Sequence, residues 1–165
     1  LSFHIDTQTI RRLRDALVER GRLPTTVTAA PVAAQREATA ARIAPFVETM
    51  FLMMLADGRE DPAEKDVIRG AIDLLAQGYL EQSELDELLA RCRHNVATGG
   101  VEVCLQALGA QLCGDSTDRE TAFTLAAVVA LADEQVQPSE QELVASVAEW
   151  YGVSSRRASA ILGDL

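Results

Sequence analysis

A chain of 165 residues with 48% apolar and 24% charged residues has the composition of one compact globular domain rather than of a disordered segment. Its formal net charge of −10 opposes non-specific binding to nucleic acid or to anionic lipid. The charge is uneven: residues 1–44 hold seven arginines against four acids, and residues 45–165 hold eight basic against 21 acidic residues.

A weakly basic arm therefore precedes a strongly acidic body, and the expected organisation is an N-terminal helical extension and linker over 1–44 followed by a helical domain over 45–165. The uninterrupted apolar runs Met50–Ala56 and Leu125–Ala132 fall short of a bilayer's thickness, so no integral membrane segment is expected. Three cysteines, odd and sparse, argue for a reducing compartment, which makes the cytoplasm the expected location.

Apolar spacings of three and four recur throughout, and no stretch alternates as a half-buried strand would. The expected fold is all-α, a bundle of eight or nine helices. The first runs from an Asp6 cap to about Arg20, ends at Gly21, and has Ile10, Leu13, Leu17 and Val18 on its apolar face. Residues 22–34, with Pro24, Pro31 and several threonines, read as a linker. A short helical stretch over Ala33–Arg42 follows, and then a separate helix with Pro45 in its first turn. This helix is apolar nearly all round through Met50, Phe51, Met53 and Met54 to Asp57, and Gly58 ends it.

Asp61 caps the next helix, with Pro62 in its first turn and Glu64 reaching back. It ends near Gly78. Helices over Ser83–Gly99 and Val101–Gly114 come next. Thr117 to Glu120 reads as a capping box opening a helix to Asp133. Pro138 opens a helix that stops at Gly152, and Ser154 caps a last one through Leu162.

The most informative pattern is an internal repeat at an offset of 76 residues. Leu55-Ala56-Asp57 recurs as Leu131-Ala132-Asp133, Pro62 as Pro138, and Glu64 as Glu140. The apolar positions stay in phase, from Val67, Ile68, Ala71, Ile72 and Leu75 to Leu143, Val144, Val147, Ala148 and Tyr151. Before the turn, Met and Phe residues of the first copy face Ala and Val in the second, as large knobs meeting small holes would. Two helix–turn–helix hairpins are the expected outcome.

An apolar helix ending in Leu-Ala-Asp-Gly, a short polar turn, Pro-x-Glu and a further amphipathic helix, repeated once, resembles the TerB-like family over roughly residues 45–155. That family spans bacterial tellurite-resistance proteins and the N-terminal region of DjlA-type co-chaperones. The resemblance implies a non-enzymatic interaction module linked to tellurite resistance and stress response, with cation binding through its turn acids. Carried over position by position, those acids are Asp57 and Glu64, and Asp133 and Glu140. Glu134 stands where the first copy has Gly58, and the second turn is the less acidic.

Carboxylates beside the unpaired carbonyls of a helix end are the ligand set of a hard divalent cation, calcium or magnesium. The same residues also suit plain capping: Glu64 on its own helix, and Ser139 with Glu142 in the second copy, which leaves Glu140 as a first-turn acid. Both readings stand at this point.

Other constellations carry less. Cys92, His94, Cys104 and Cys113 lack the paired spacing of a zinc site, and Cys92 and Cys104 fall on apolar faces. No nucleophile–base set and no phosphate-binding glycine loop is present, so no enzymatic activity is expected. Gly152 to Arg157 resembles the entry to a DNA-reading helix, yet a capped helix junction explains the same residues and the acidic body opposes nucleic acid. Protein partners are expected, with a homo-oligomer or peripheral membrane contact of the first helix as alternatives for the arm.

Overall fold

The computed structural model describes residues 3–21, 23, 33–56, 58, 61–77, 79–133 and 135–165. Among them the fold is all-helical, with eight helices: α1 (Thr7–Glu19), α2 (Ala33–Leu55), α3 (Pro62–Ala76), α4 (Gln82–Gly99), α5 (Val101–Gln111), α6 (Ser116–Ala130), α7 (Pro138–Trp150) and α8 (Ser155–Gly163). The greater part of the expected linker, residues 22 and 24–32, lies outside the described residues.

α2 is the hub. It packs on α3, α4, α5 and, most extensively, α6, while α1 lies on α3 and α8 closes against α6 and α7. Phe46, Val47, Met50, Phe51 and Leu52 of α2 are buried, as is every residue of α6 from Thr121 to Ala130. Hydroxyls inside this apolar contact are satisfied locally: Thr49 Oγ1 donates to the Pro45 carbonyl at 2.8 Å and Thr124 Oγ1 to that of Glu120 at 2.7 Å. Tyr151 brings its phenol to Thr49 Oγ1 at 2.7 Å, joining the end of α7 to α2. Arg36–Leu55 reaches the length and mean hydropathy of a membrane span, and here that segment lies at the centre of the bundle.

Two helix starts differ from the sequence reading. Pro45 sits inside α2, which runs unbroken from Ala33, so the boundary drawn at 44/45 falls within one helix. Proline favours a first turn because it lacks an N–H, and inside a helix it costs about 3 kcal/mol. Here Ile43 before it and Phe46 and Val47 after it are all buried, and one continuous helix keeps them on a single packed core. α6 is capped by Asp115, two residues before the expected Thr117, with Asp115 Oδ1 accepting from the N–H groups of Thr117 at 2.8 Å and Asp118 at 3.1 Å. Glu120, expected to complete a capping box, instead makes a fork with Arg157 at 2.9 and 3.1 Å.

Three other caps follow the sequence. Asp6 opens α1, Asp61 opens α3 and Ser154 opens α8. Gly58 adopts φ +73° after α2. At the end of α7, Gly152 (φ +69°) donates to the Glu149 carbonyl at 3.1 Å and Val153 to that of Ala148 at 2.8 Å, a Schellman closure that turns the chain into α8. Arg20, at the end of α1, pairs with Asp115 at 3.2 Å and with the buried Asp118, which ties the basic arm to the start of α6.

Two stability tests follow from this packing. A Cβ on Gly109 of α5 would stand 2.3 Å from the Trp150 carbonyl oxygen, whereas one on Gly70 of α3 meets nothing within 4 Å. Gly109→Ala should destabilise by about 1–3 kcal/mol, and Gly70→Ala should stabilise by roughly 0.5–1 kcal/mol, both read by urea unfolding. Asp6 is held below its ordinary pKa, chiefly by the Thr9 hydroxyl, and Asp115 chiefly by the Asp118 N–H. A depressed folded-state pKa supplies stability above the unfolded value of 3.8 that disappears as pH falls through the folded value. Asp115→Asn, which keeps the cap but does not titrate, should flatten the acid limb of the stability–pH curve.

Candidate functional site

A cavity of about 660 Å³ opens where the C-terminal ends of α2 and α6 meet the first turns of α3 and α7. Met53 and Met54 of α2 and Val129 and Ala130 of α6 line it, with Ile68 of α3 and Leu143 of α7. Its polar lining is Glu64, Asp133, Gln137, Ser139 and Glu140. Three pairs in this lining are 76 residues apart: Met53 with Val129, Met54 with Ala130, and Glu64 with Glu140.

Three of the four acids singled out from the sequence thus share one cavity, although they come from both hairpins. Asp57 lies outside the described residues, as does Glu60. Glu64 of α3 lines the same space as Asp133 and Glu140, which come from the other hairpin. Nothing local in the sequence announces that meeting, which depends on how α2 and α6 dock.

Each acid also serves the backbone or sits at a helix start. Glu140 Oε2 accepts the Gln137 N–H at 2.9 Å, so Gln137 is the cap of α7 and Glu140 its reciprocal acid. This replaces the expected Ser139–Glu142 pair, because the chain enters α7 one residue before Pro138 rather than after it. Asp133 Oδ1 accepts from the Gln135 N–H at 3.4 Å. Glu64 is half-buried in the first turn of α3. Among the described residues no group of three or more His, Cys, Asp or Glu stands in a metal-holding cluster.

The sequence reading missed the N-terminal contribution. Phe3 lines the cavity and forms an antiparallel bridge with Asp133, while the His4 N–H donates to the Ala132 carbonyl at 2.7 Å. Phe3–Ile5 is too short to show an alternating pattern, so periodicity could not reveal it. The one available hint is that an aromatic and an isoleucine two apart precede a strong helix cap.

A second cavity, about 380 Å³, lies among α2, α4 and α5, bordered by Leu52, Cys92, Val103, Cys104 and Leu108, with Glu48, His94, Asn95 and Thr98 supplying polar groups. Burial pushes the Cys92 thiol up to about 12 and raises that of Cys104, with the Glu48 charge adding to both. Both remain thiols at neutral pH, hence poor nucleophiles and poor metal ligands. Cys113 is exposed. A chromogenic disulfide reagent at pH 8 should therefore titrate one thiol quickly in the native protein and all three after denaturation. Rapid reaction of Cys92 would contradict its burial.

At the C-terminal end Arg157 is held by the Glu120 carboxylate, and Ser154 Oγ accepts its N–H at 3.2 Å, so this segment is a capped helix junction. No family model, no curated protein and no solved structure matches this chain.

Proposed function

We propose that this chain is a TerB-like, non-enzymatic interaction module, built by duplication of a helical hairpin. In this reading the cavity between the hairpins receives a basic side chain of a protein partner. The observation that carries it is the joint lining by Met53, Met54, Val129 and Ala130 with Glu64, Asp133 and Glu140. An aliphatic stem needs apolar walls and a cationic head needs carboxylates, and lysine and arginine combine the two. The negative C-terminal ends of α2 and α6 there face the positive N-terminal ends of α3 and α7, so the carboxylates supply the attraction for a cation. A role in tellurite resistance or stress response, and a cytoplasmic setting, belong to the same family-based proposal.

The rival reading is a calcium or magnesium site at Asp57 with Glu64 and Asp133 with Glu140. Such an ion requires oxygens at about 2.0–2.6 Å on several sides, and a cavity of about 660 Å³ is much larger than one coordination sphere. Glu140 is also engaged in capping.

The three methionines of the chain all lie in α2, and two of them line the cavity, which makes a direct test available. With carbon-13 methionine methyls, titration of arginine amide should move the Met53 and Met54 resonances and leave that of Met50, which does not line the cavity, in place. The double variant Glu64→Gln, Glu140→Gln keeps side chains able to cap and should weaken the response about tenfold, as expected for lost charge-assisted contacts. Equal movement of all three methyls, no movement at all, or displacement of the ligand by calcium would overturn this reading.

A further inference from the structure

The cavity already has an occupant along one wall, and its geometry indicates what else can lie there. Phe3 and Ile5, two apart, face inward, Phe3 into the cavity lining and Ile5 into the core, whereas His4 between them is exposed. The segment is extended, antiparallel to the 132–133 backbone, and joined to it by the His4 N–H to Ala132 carbonyl bond of 2.7 Å. Among the described residues this is the only β-bridge, in a chain whose other regular structure is helical. Strand addition onto exposed backbone supplies affinity from main-chain bonds and selectivity from alternate side chains.

We propose that the cavity and the 131–133 turn together form a groove for an extended peptide with an apolar anchor beside basic residues, and that Phe3–His4 is the intramolecular placeholder the peptide displaces. This rests on the proposed docking of a basic side chain and adds the backbone and the anchor. Charge complementarity selects the partner: Glu64, Asp133 and Glu140 line the groove, and the chain around it is strongly acidic. The placeholder has an aromatic residue for the apolar part but an exposed histidine and no arginine or lysine next to it. A peptide carrying both elements makes every contact Phe3 makes and adds the charged ones. Release stops at Ile5, which is buried and followed directly by the Asp6 cap of α1.

The probe is a synthetic peptide, acetyl-Arg-Phe-Arg-Val-amide, titrated into the full chain with the Met53 and Met54 methyls as readout. It should bind at least tenfold more tightly than arginine amide. A copy with backbone N-methyl groups should lose about tenfold, the equivalent of one hydrogen bond. A copy with both arginines replaced by glutamine should lose at least as much. Phe3→Ala should tighten binding of the parent peptide several-fold, and His4→Pro, which removes the donor while leaving the aromatic, should also tighten it, so that either variant tests the placeholder should the other disturb folding. If arginine amide binds but the N-methylated peptide is unaffected and neither variant tightens binding, the groove proposal fails while the basic-side-chain reading stands. If neither arginine amide nor any peptide moves the two methyls, both fail.

Discussion

The contact between α2 and α6 is the constraint from which the rest of the arrangement follows. Both helices are apolar over most of their circumference, so neither can lie on a surface and each must be wrapped. At positions 76 apart, α6 has Ala122, Ala126, Ala127, Val129 and Ala130 where α2 has Phe46, Met50, Phe51, Met53 and Met54, and α6 also buries Phe123 and Leu125. The two helices pack on one another more extensively than any other pair, and their side chains fill the middle of a dense core. The two helices finish beside one another, and their last turns line a common space with the first turns of α3 and α7. The cavity is therefore a by-product of core packing: the chain does not reserve it with loops, it inherits it from two buried helices ending together.

The charge asymmetry of the sequence has a matching structural role. Arg20 of the basic arm is tied to Asp115 and Asp118 of α6, and Arg36 pairs with Glu81 at 3.2 Å and Glu84 at 3.7 Å. Pairs with an exposed partner, such as Arg36 with Glu81 and Arg20 with Asp115, contribute only about 0–1 kcal/mol each, so they do not hold the arm by themselves. Burial of Ile10 and Leu17 does more, with each such side chain worth roughly 1.5–3 kcal/mol. The arginines instead select where the arm lies, on the acidic body. That placement brings Ile5 into the core and Phe3 to the cavity.

What the sequence made legible was whatever depends on neighbours in the chain. Helix periods, the Asp6, Asp61 and Ser154 caps, and the glycine stops at 58 and 152 are local matters, and they stand as read. Positions 76 apart also share burial, as Ile68 and Val144, Ala71 and Val147, and Leu75 and Tyr151 do. Readings that turned on competition between local and distant preferences did not survive. Pro45 has a first-turn preference that core continuity overrides. Gly114-Asp115-Ser116-Thr117-Asp118 offers several caps in a row, and the one used, Asp115, also pairs with the distant Arg20. For the site, the acids were visible but their meeting was not, since Glu64 reaches Asp133 and Glu140 only through the docking of α2 on α6.

The cavity's two halves differ in a way that bears on what it can hold. Among the described residues its carboxylates are Glu64 on one side and Asp133 and Glu140 on the other, with Glu64 and Glu140 each also placed to offset the positive end of its own helix. Its apolar lining is unbalanced, with Met53 and Met54 against Val129 and Ala130. A symmetric ion responds only to the carboxylates and has no use for that difference. An elongated ligand does, because its stem gains more room beside valine and alanine and more contact beside two flexible thioethers. Unequal walls orient a ligand that has a head and a tail, and it is this inequality, more than the number of acids, that favours an elongated ligand over an ion.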